Sequence, residues 1–194
     1  MNLEIWSGLR LLPQTDRFAL YAFWQSKTLT DDVDLFFWMK HHYVAIDYYL
    51  RRIASETVKE MSRSLVYYSY ACPLYFFRSL LFKCTTFENL TGFLIPQIRS
   101  ISHLGVDCCL FCIVESLQKR QSTVDSNFFP SQGFVFLIQF ITAFVKLFLN
   151  RVDLTVLMRC VQARLLEGDT NVMLVVSKLV SSIGNVPLSM SSNL

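Results

Sequence analysis

Cys109-Leu110-Phe111-Cys112 has the spacing of a thiol–disulfide exchange pair or of one half of a zinc site. Exchange chemistry needs a thiolate, and a thiolate is favoured at an electropositive helix start after a strand. Here the pair falls in mid-helix among Leu, Phe, Ile and Val, and no second cysteine pair exists to complete a zinc site. These surroundings support buried core thiols instead. His41 and His42 are adjacent, so on a helix they diverge by about 100° and do not share one metal ion. His103 stands by itself before another helix. Asp31, Asp32 and Asp34 imitate a carboxylate pair for acid–base work. They lie where a helix opens, and capping and dipole complementarity account for them. The sequence has no Gly-rich phosphate loop, no nucleophile elbow and no kinase signature. The expectation is therefore no enzyme, no catalytic residue, no cofactor and no metal. The basic pairs Arg51-Arg52 and Lys119-Arg120 remain as candidates. They sit at helix ends, where cations suit the dipole, and are the places to look for partner or phosphate contacts.

Composition describes what has to carry these residues. The chain has 194 residues, 53% hydrophobic and 17% charged, against about a quarter charged in an average soluble domain. Disorder is excluded, because so apolar a chain would not stay solvated as an open coil. Collagen-like and low-complexity classes fall with only 6 Gly and 5 Pro. A net charge of +3 does not demand nucleic acid as a partner. A spanning helix needs about 20 apolar residues with few charges. The window 126–145 opens with loop chemistry (Asn127, Pro130, Gln132) and is cut by Lys146; the window 65–77 is bracketed by Arg63 and Arg78 and broken by Pro73. Core helices explain both better, and a membrane-embedded helical protein is kept as the rival reading. The first residues carry Glu4 and Arg10 and lack the pattern of a signal peptide. Six cysteines, at 72, 84, 108, 109, 112 and 160, make a poor disulfide framework, since Cys108 and Cys109 point in different directions. Reduced thiols in a cytosolic or nuclear setting fit better.

Helical periodicity dominates the chain. A short helix carries Leu3, Trp6 and Leu9 and ends at Pro13. Thr15 and Asp16 offer capping oxygens to the next, whose inner face is Phe18, Tyr21 and Trp24. Thr30-Asp31-Asp32 opens a longer helix with the apolar series Phe37, Val44, Tyr48 and Ile53, running to Arg51 and Arg52. Ser55 starts a segment that ends near Tyr70, and Pro73 begins a fresh helix over 73–83. Thr85 and Thr86 are expected to cap a helix carrying Leu90, Phe93, Leu94 and Ile98, bent at Pro96. Val106, Leu110, Ile113, Val114 and Leu117 mark a strongly amphipathic helix closing in Gln118-Lys119-Arg120. Three more helices follow, over 134–149, 153–166 and 170–183. The sum is an all-α fold: an irregular array of about ten antiparallel helices, a HEAT/ARM-like scaffold of the helical-repeat kind. Residues 1–121 form its N-terminal hairpins, 122–133 a loop, 134–184 the C-terminal helices of the same array, and 185–194 a flexible tail.

Four stretches resemble the THO complex subunit 2 family. Leu12-Pro13-Gln14 followed by Arg17-Phe18-Ala19-Leu20-Tyr21 and Trp24 matches the family's Leu-Pro-Tyr, then Arg-Tyr-x-Leu-Tyr-x-x-Trp, at the same spacing. Arg52-Ile53-Ala54-Ser55-Glu56-Thr57-Val58 is close to Lys-Arg-Leu-x-x-Glu-Asn-Val. Arg63 through Ser69 to Pro73 matches an Arg, an apolar turn and Ser-His-Ser-Asn-Pro. Leu104-Gly105-Val106-Asp107 leading into Cys112-Ile113-Val114-Glu115-Ser116-Leu117 is the best match of the four. Departures occur at Gln14, Tyr70, Cys72 and across 122–133. Family members are far longer, so the chain would correspond to a central helical stretch. The resemblance implies a non-catalytic scaffold in the nuclear THO/TREX assembly that couples transcription to packaging and export of mRNA. It also implies other THO subunits and a DEAD-box RNA helicase as partners, with RNA contact indirect and no membrane or small-molecule substrate. A helical interaction module unrelated to THO is the other alternative.

Overall fold

The structure is a computed structural model that describes residues 2–27, 33–119 and 130–184. Residues 122–129 of the expected loop, residues 185–194 of the expected tail, Asp31, Asp32 and Arg120 lie outside the described residues. Among the described residues there are ten α-helices, two short 3₁₀ turns and no β-strand, so the fold is an all-α array. The helices are α1 (Asn2–Leu9), α2 (Gln14–Lys27), α3 (Val33–Arg51), α4 (Val58–Ala71) and α5 (Pro73–Thr86). After them come α6 (Leu90–Leu94), α7 (His103–Lys119), α8 (Gln132–Leu147), α9 (Leu154–Leu166) and α10 (Met173–Gly184).

Punctuation residues explain most of these boundaries. Pro73 occupies the first turn of α5, where its missing N–H costs nothing. The Ser102 hydroxyl accepts the Gly105 N–H at 3.0 Å and so caps α7. Asp153 accepts the Thr155 N–H at 2.9 Å and caps α9. Gly168, at φ +92°, takes the left-handed turn that ends α9. Asp169 then accepts the Asn171 N–H at 3.2 Å and a bond from Arg164 at 2.7 Å. Pro96 falls in a 3₁₀ turn, Ile95–Ile98, that continues α6.

Several local expectations give way to the packing. α2 starts at Gln14, and the Pro13 carbonyl accepts the N–H groups of Asp16 and Arg17, so Thr15 and Asp16 lie inside the first turn instead of capping it. α4 starts at Val58, three residues after Ser55, where the Thr57 hydroxyl accepts the Ala54 N–H and donates to the Arg52 carbonyl. Thr85 and Thr86 belong to the end of α5 and do not cap α6: both hydroxyls donate back to the Phe82 carbonyl, satisfying a helix-end acceptor. The segment over 170–183 opens as a 3₁₀ turn, Thr170–Val172, before α10.

The core is centred on α5, α7 and α8: α5 packs on both α7 and α8, with α3 and α4 against α5, α10 against α8, and α1, α2 and α9 against α7. α7 is not the amphipathic helix expected. Every residue from Leu104 to Val114 is buried, because neighbours surround it. This burial includes both Cys108 and Cys109, which face different neighbours. α3 differs in the opposite sense. Its buried side is His42, Ile46 and Leu50, with Tyr43 partly covered, whereas Phe37, Val44 and Tyr48 of the expected core series face outward. Ile53, beyond the helix, is partly buried.

Candidate interaction surface

Asp107 is the one carboxylate among the buried residues described, and the other buried residues of α7 are apolar. A buried carboxylate is costly unless paired and hydrogen-bonded. α2 supplies both partners from one face, four residues apart. Arg17 grips the carboxylate with two donors, Nε to Oδ2 at 2.9 Å and Nη2 to Oδ1 at 3.1 Å. The Tyr21 hydroxyl donates to Oδ2 at 2.7 Å. The remaining arm of Arg17 donates to the Leu12 carbonyl at 2.8 Å, and its guanidinium lies 5.5 Å from the Trp6 ring centroid. One cation thus ties α1, α2 and α7 together. Burial works against the Arg17 charge, but the bond and attraction to Asp107 outweigh it and hold its pKa above the ordinary value. Burial, helped by the neighbouring Cys108 and Asp107, pushes the Tyr21 phenol far up, so it stays a neutral donor.

An open groove of about 910 Å³ is lined by residues of α1, α2, α3, α4, α5 and α7. Its walls include Trp24, Trp38, Tyr43, Tyr67 and Tyr70. Tyr43 stacks on Tyr75 with centroids 3.6 Å apart, and the Tyr75 hydroxyl donates to Asp47 at 3.1 Å. Arg78 is the charged lining residue among those described. Its Nη2 donates to Glu115 at 2.6 Å and to Gln25 at 2.8 Å. Such a surface can bury apolar or aromatic side chains of a partner and offers phenol hydrogen bonds at its edge. Among its described lining residues, no acid and base are paired and no nucleophile is activated.

The structure places the described residues among those singled out in the sequence as follows. All six cysteines are free and buried. Burial pushes the Cys112 thiol up to about 12 and Cys109 well above its ordinary range, and the Cys112 Sγ–H faces the Leu74 carbonyl at 3.6 Å. A protonated, enclosed thiol is a poor nucleophile. In the native state all six are therefore expected to resist a colourimetric disulfide reagent over minutes and to react at once in denaturant. Fast native reaction of Cys109 or Cys112 would restore the redox reading. His42 sits against Trp38, with centroids 4.0 Å apart and Nδ1 2.9 Å from the Trp38 carbonyl oxygen; His41 is exposed; His103 stacks on Trp6. Among the described residues no group of three or more His, Cys, Asp or Glu side chains is placed to hold a metal ion. Asp34 lies exposed in the first turn of α3.

The basic candidates are separated. Arg51 and Arg52 are exposed at the end of α3, with the Arg52 guanidinium 4.3 Å above the Tyr48 ring. Lys119 closes α7 and bonds Glu115 at 2.7 Å, one turn back. Glu115 therefore bridges Lys119 to Arg78. Burial raises its carboxyl, but the two cations outweigh that and hold it below the usual range. The stability it contributes is present above the ordinary carboxylate pKa and is lost as pH falls through the lowered folded value. Glu115→Gln should flatten the fall of melting temperature on acidification below about pH 5, compared with the wild type. Equal acid limbs would show that the cluster adds nothing.

The Asp107 pin was missed in the sequence, although a signal for it existed: an acidic residue inside an otherwise apolar helical run. No family model matches the chain. Across 199 aligned positions, covering 97% of this chain, it is 23% identical to THO complex subunit 2 of Homo sapiens, of Mus musculus and of Rhinolophus ferrumequinum. The chain is distantly similar to THO complex subunit 2. It spans 12% of the length of these relatives. Two of the stretches that resemble THO complex subunit 2, residues 17–21 and 104–107, are the ones that meet in the Arg17–Tyr21–Asp107 pin. No described helix is long and apolar enough to cross a membrane.

Proposed function

We propose that this chain is a helical segment of a non-catalytic scaffold of the THO complex subunit 2 kind, acting in the nucleus in transcription-coupled processing and export of mRNA. The similarity that runs along 97% of the chain carries this reading. The all-α array supports it: stacked helices hold shape through a continuous core and leave apolar outer faces for other chains. In this reading the partners are other THO subunits and a DEAD-box RNA helicase within a TREX-type assembly, and RNA is reached through those partners. Arg51, Arg52, Lys119 and Arg120 are the proposed rim contacts, acting by steering acidic or phosphate groups onto the array.

Affinity purification of the tagged chain from nuclear extract, with mass spectrometry, tests the assignment. Co-purification of THO subunits and an RNA helicase, retained after nuclease treatment, is the expected result. A set of membrane or mitochondrial proteins, or helical partners with no THO subunit among them, would overturn it.

A further inference from the structure

α3 carries two apolar stripes on opposite sides. At about 100° per residue, Ile46 and Leu50 lie roughly half a turn of the helix away from Phe37, Val44 and Tyr48. The first stripe is buried, while Phe37 is 61% exposed, Val44 66% and Tyr48 49%. Val33 extends the outer stripe by one more turn and is also exposed. Val33, Phe37, Val44 and Tyr48 stand at i, i+4, i+11 and i+15, the spacing by which one helix packs along another. Apolar side chains in line on a surface, with no described element covering them, mark an interface.

The rim of this stripe has a sign. Lys40, Arg51 and Arg52 are exposed along it, with His41 between, and Asp34 is the carboxylate on the same face. The other acid of α3, Asp47, is engaged by Tyr75 toward the core. The Arg52 guanidinium sits 4.3 Å from the Tyr48 ring centroid, so a cation stands directly beside the apolar stripe. We propose that the outer face of α3, centred on Phe37, Val44 and Tyr48 and flanked by Lys40, Arg51 and Arg52, docks an amphipathic helix of another polypeptide whose apolar stripe is edged by acidic side chains. A helix is favoured because the stripe follows the axis of α3, so that side-chain ridges of the two helices interlock. RNA bases stack on rings such as Phe37 and Tyr48 but leave the aliphatic Val33 and Val44 of the same stripe uncovered.

The inference stands apart from the assignment to mRNA export, because the chemistry of the docked segment is specified and its owner is not. The full chain, carrying a photo-crosslinking amino acid in place of Val44 or of Phe37, is irradiated in cells and the crosslinked segment is sequenced. Both positions are exposed, so the replacement leaves the core untouched. The expected product is a segment with apolar residues at helical spacing and Asp or Glu on their flanks. R51E with R52E should lower the crosslink yield at least about fivefold, with far-UV circular dichroism unchanged. Crosslinks to lipid, to RNA, or to a segment lacking helical spacing or edged by cations would overturn the proposal. So would no crosslink above background, or a yield indifferent to the charge reversal. A helix of the expected chemistry from a protein outside THO would support this inference while counting against the THO assignment.

Discussion

Arg17→Ala is expected to lower the unfolding free energy by about 3–5 kcal/mol, among the largest losses any single polar substitution in this chain would cause. The reason is asymmetry. Arg17 and Asp107 are 12% and 8% exposed at their side chains, so removing the cation strands a carboxylate that cannot reach water and retains only the Tyr21 hydroxyl. Asp107→Ala strands the guanidinium instead, though Arg17 keeps the Leu12 carbonyl and the Trp6 ring as neighbours. Tyr21→Phe removes one bond to a charged acceptor and is expected to cost less, about 1–3 kcal/mol. Replacing both ions together, Arg17→Met with Asp107→Leu, should recover much of the single-variant loss, because an apolar pair of similar volume leaves no buried charge. Urea unfolding followed by circular dichroism measures all four. A loss below about 1 kcal/mol for Arg17→Ala would mean that water reaches the pin.

Phe77→Ala should be comparably severe, about 3–5 kcal/mol, by transfer loss and by the cavity left behind. Phe77 is fully buried on α5, the helix that contacts both α7 and α8, and its ring edge lies 3.7 Å from where a Cβ on Gly105 would sit. That closeness reflects direct packing of α5 on the start of α7, so the cavity would open at the centre of the array, where the backbone cannot collapse into it. Phe82, one turn and a half further along α5, is 68% exposed, and Phe82→Ala should stay within about 0.5 kcal/mol. Equal losses at the two positions would overturn the placement of α5 against α7.

Residue types and spacing were enough to read the all-α class, nearly every helix and the helix start at Pro73. Each depends on neighbours within a few positions, as with a proline ring that cannot donate an N–H. The Asp153 carboxylate cap and the left-handed turn at Gly168 became visible only in the structure. The thiols too were legible, since six cysteines in apolar helical runs have burial written into their surroundings. Thr85 and Thr86 mark where local reading fails, because a hydroxyl serves a helix end or a helix start equally well and only the chain's path selects one.

The faces of α3 and α7, and the partner of Asp107, were decided by tertiary packing. A helical pattern states that an apolar stripe exists; which stripe is covered depends on which other helix arrives. α3 has two such stripes, and only the one holding Ile46 and Leu50 meets α4 and α5. α7 is enclosed because α1, α2, α5 and α9 all reach it, which no property of its own 17 residues could announce. The pin joins residues 90 positions apart, a contact fixed by the docking of α2 on α7 and by the high cost of leaving a charge alone in the core. Short-range chemistry drew the helices of this chain, and the need to bury one face of each while satisfying every buried charge chose the sides that remain for other molecules.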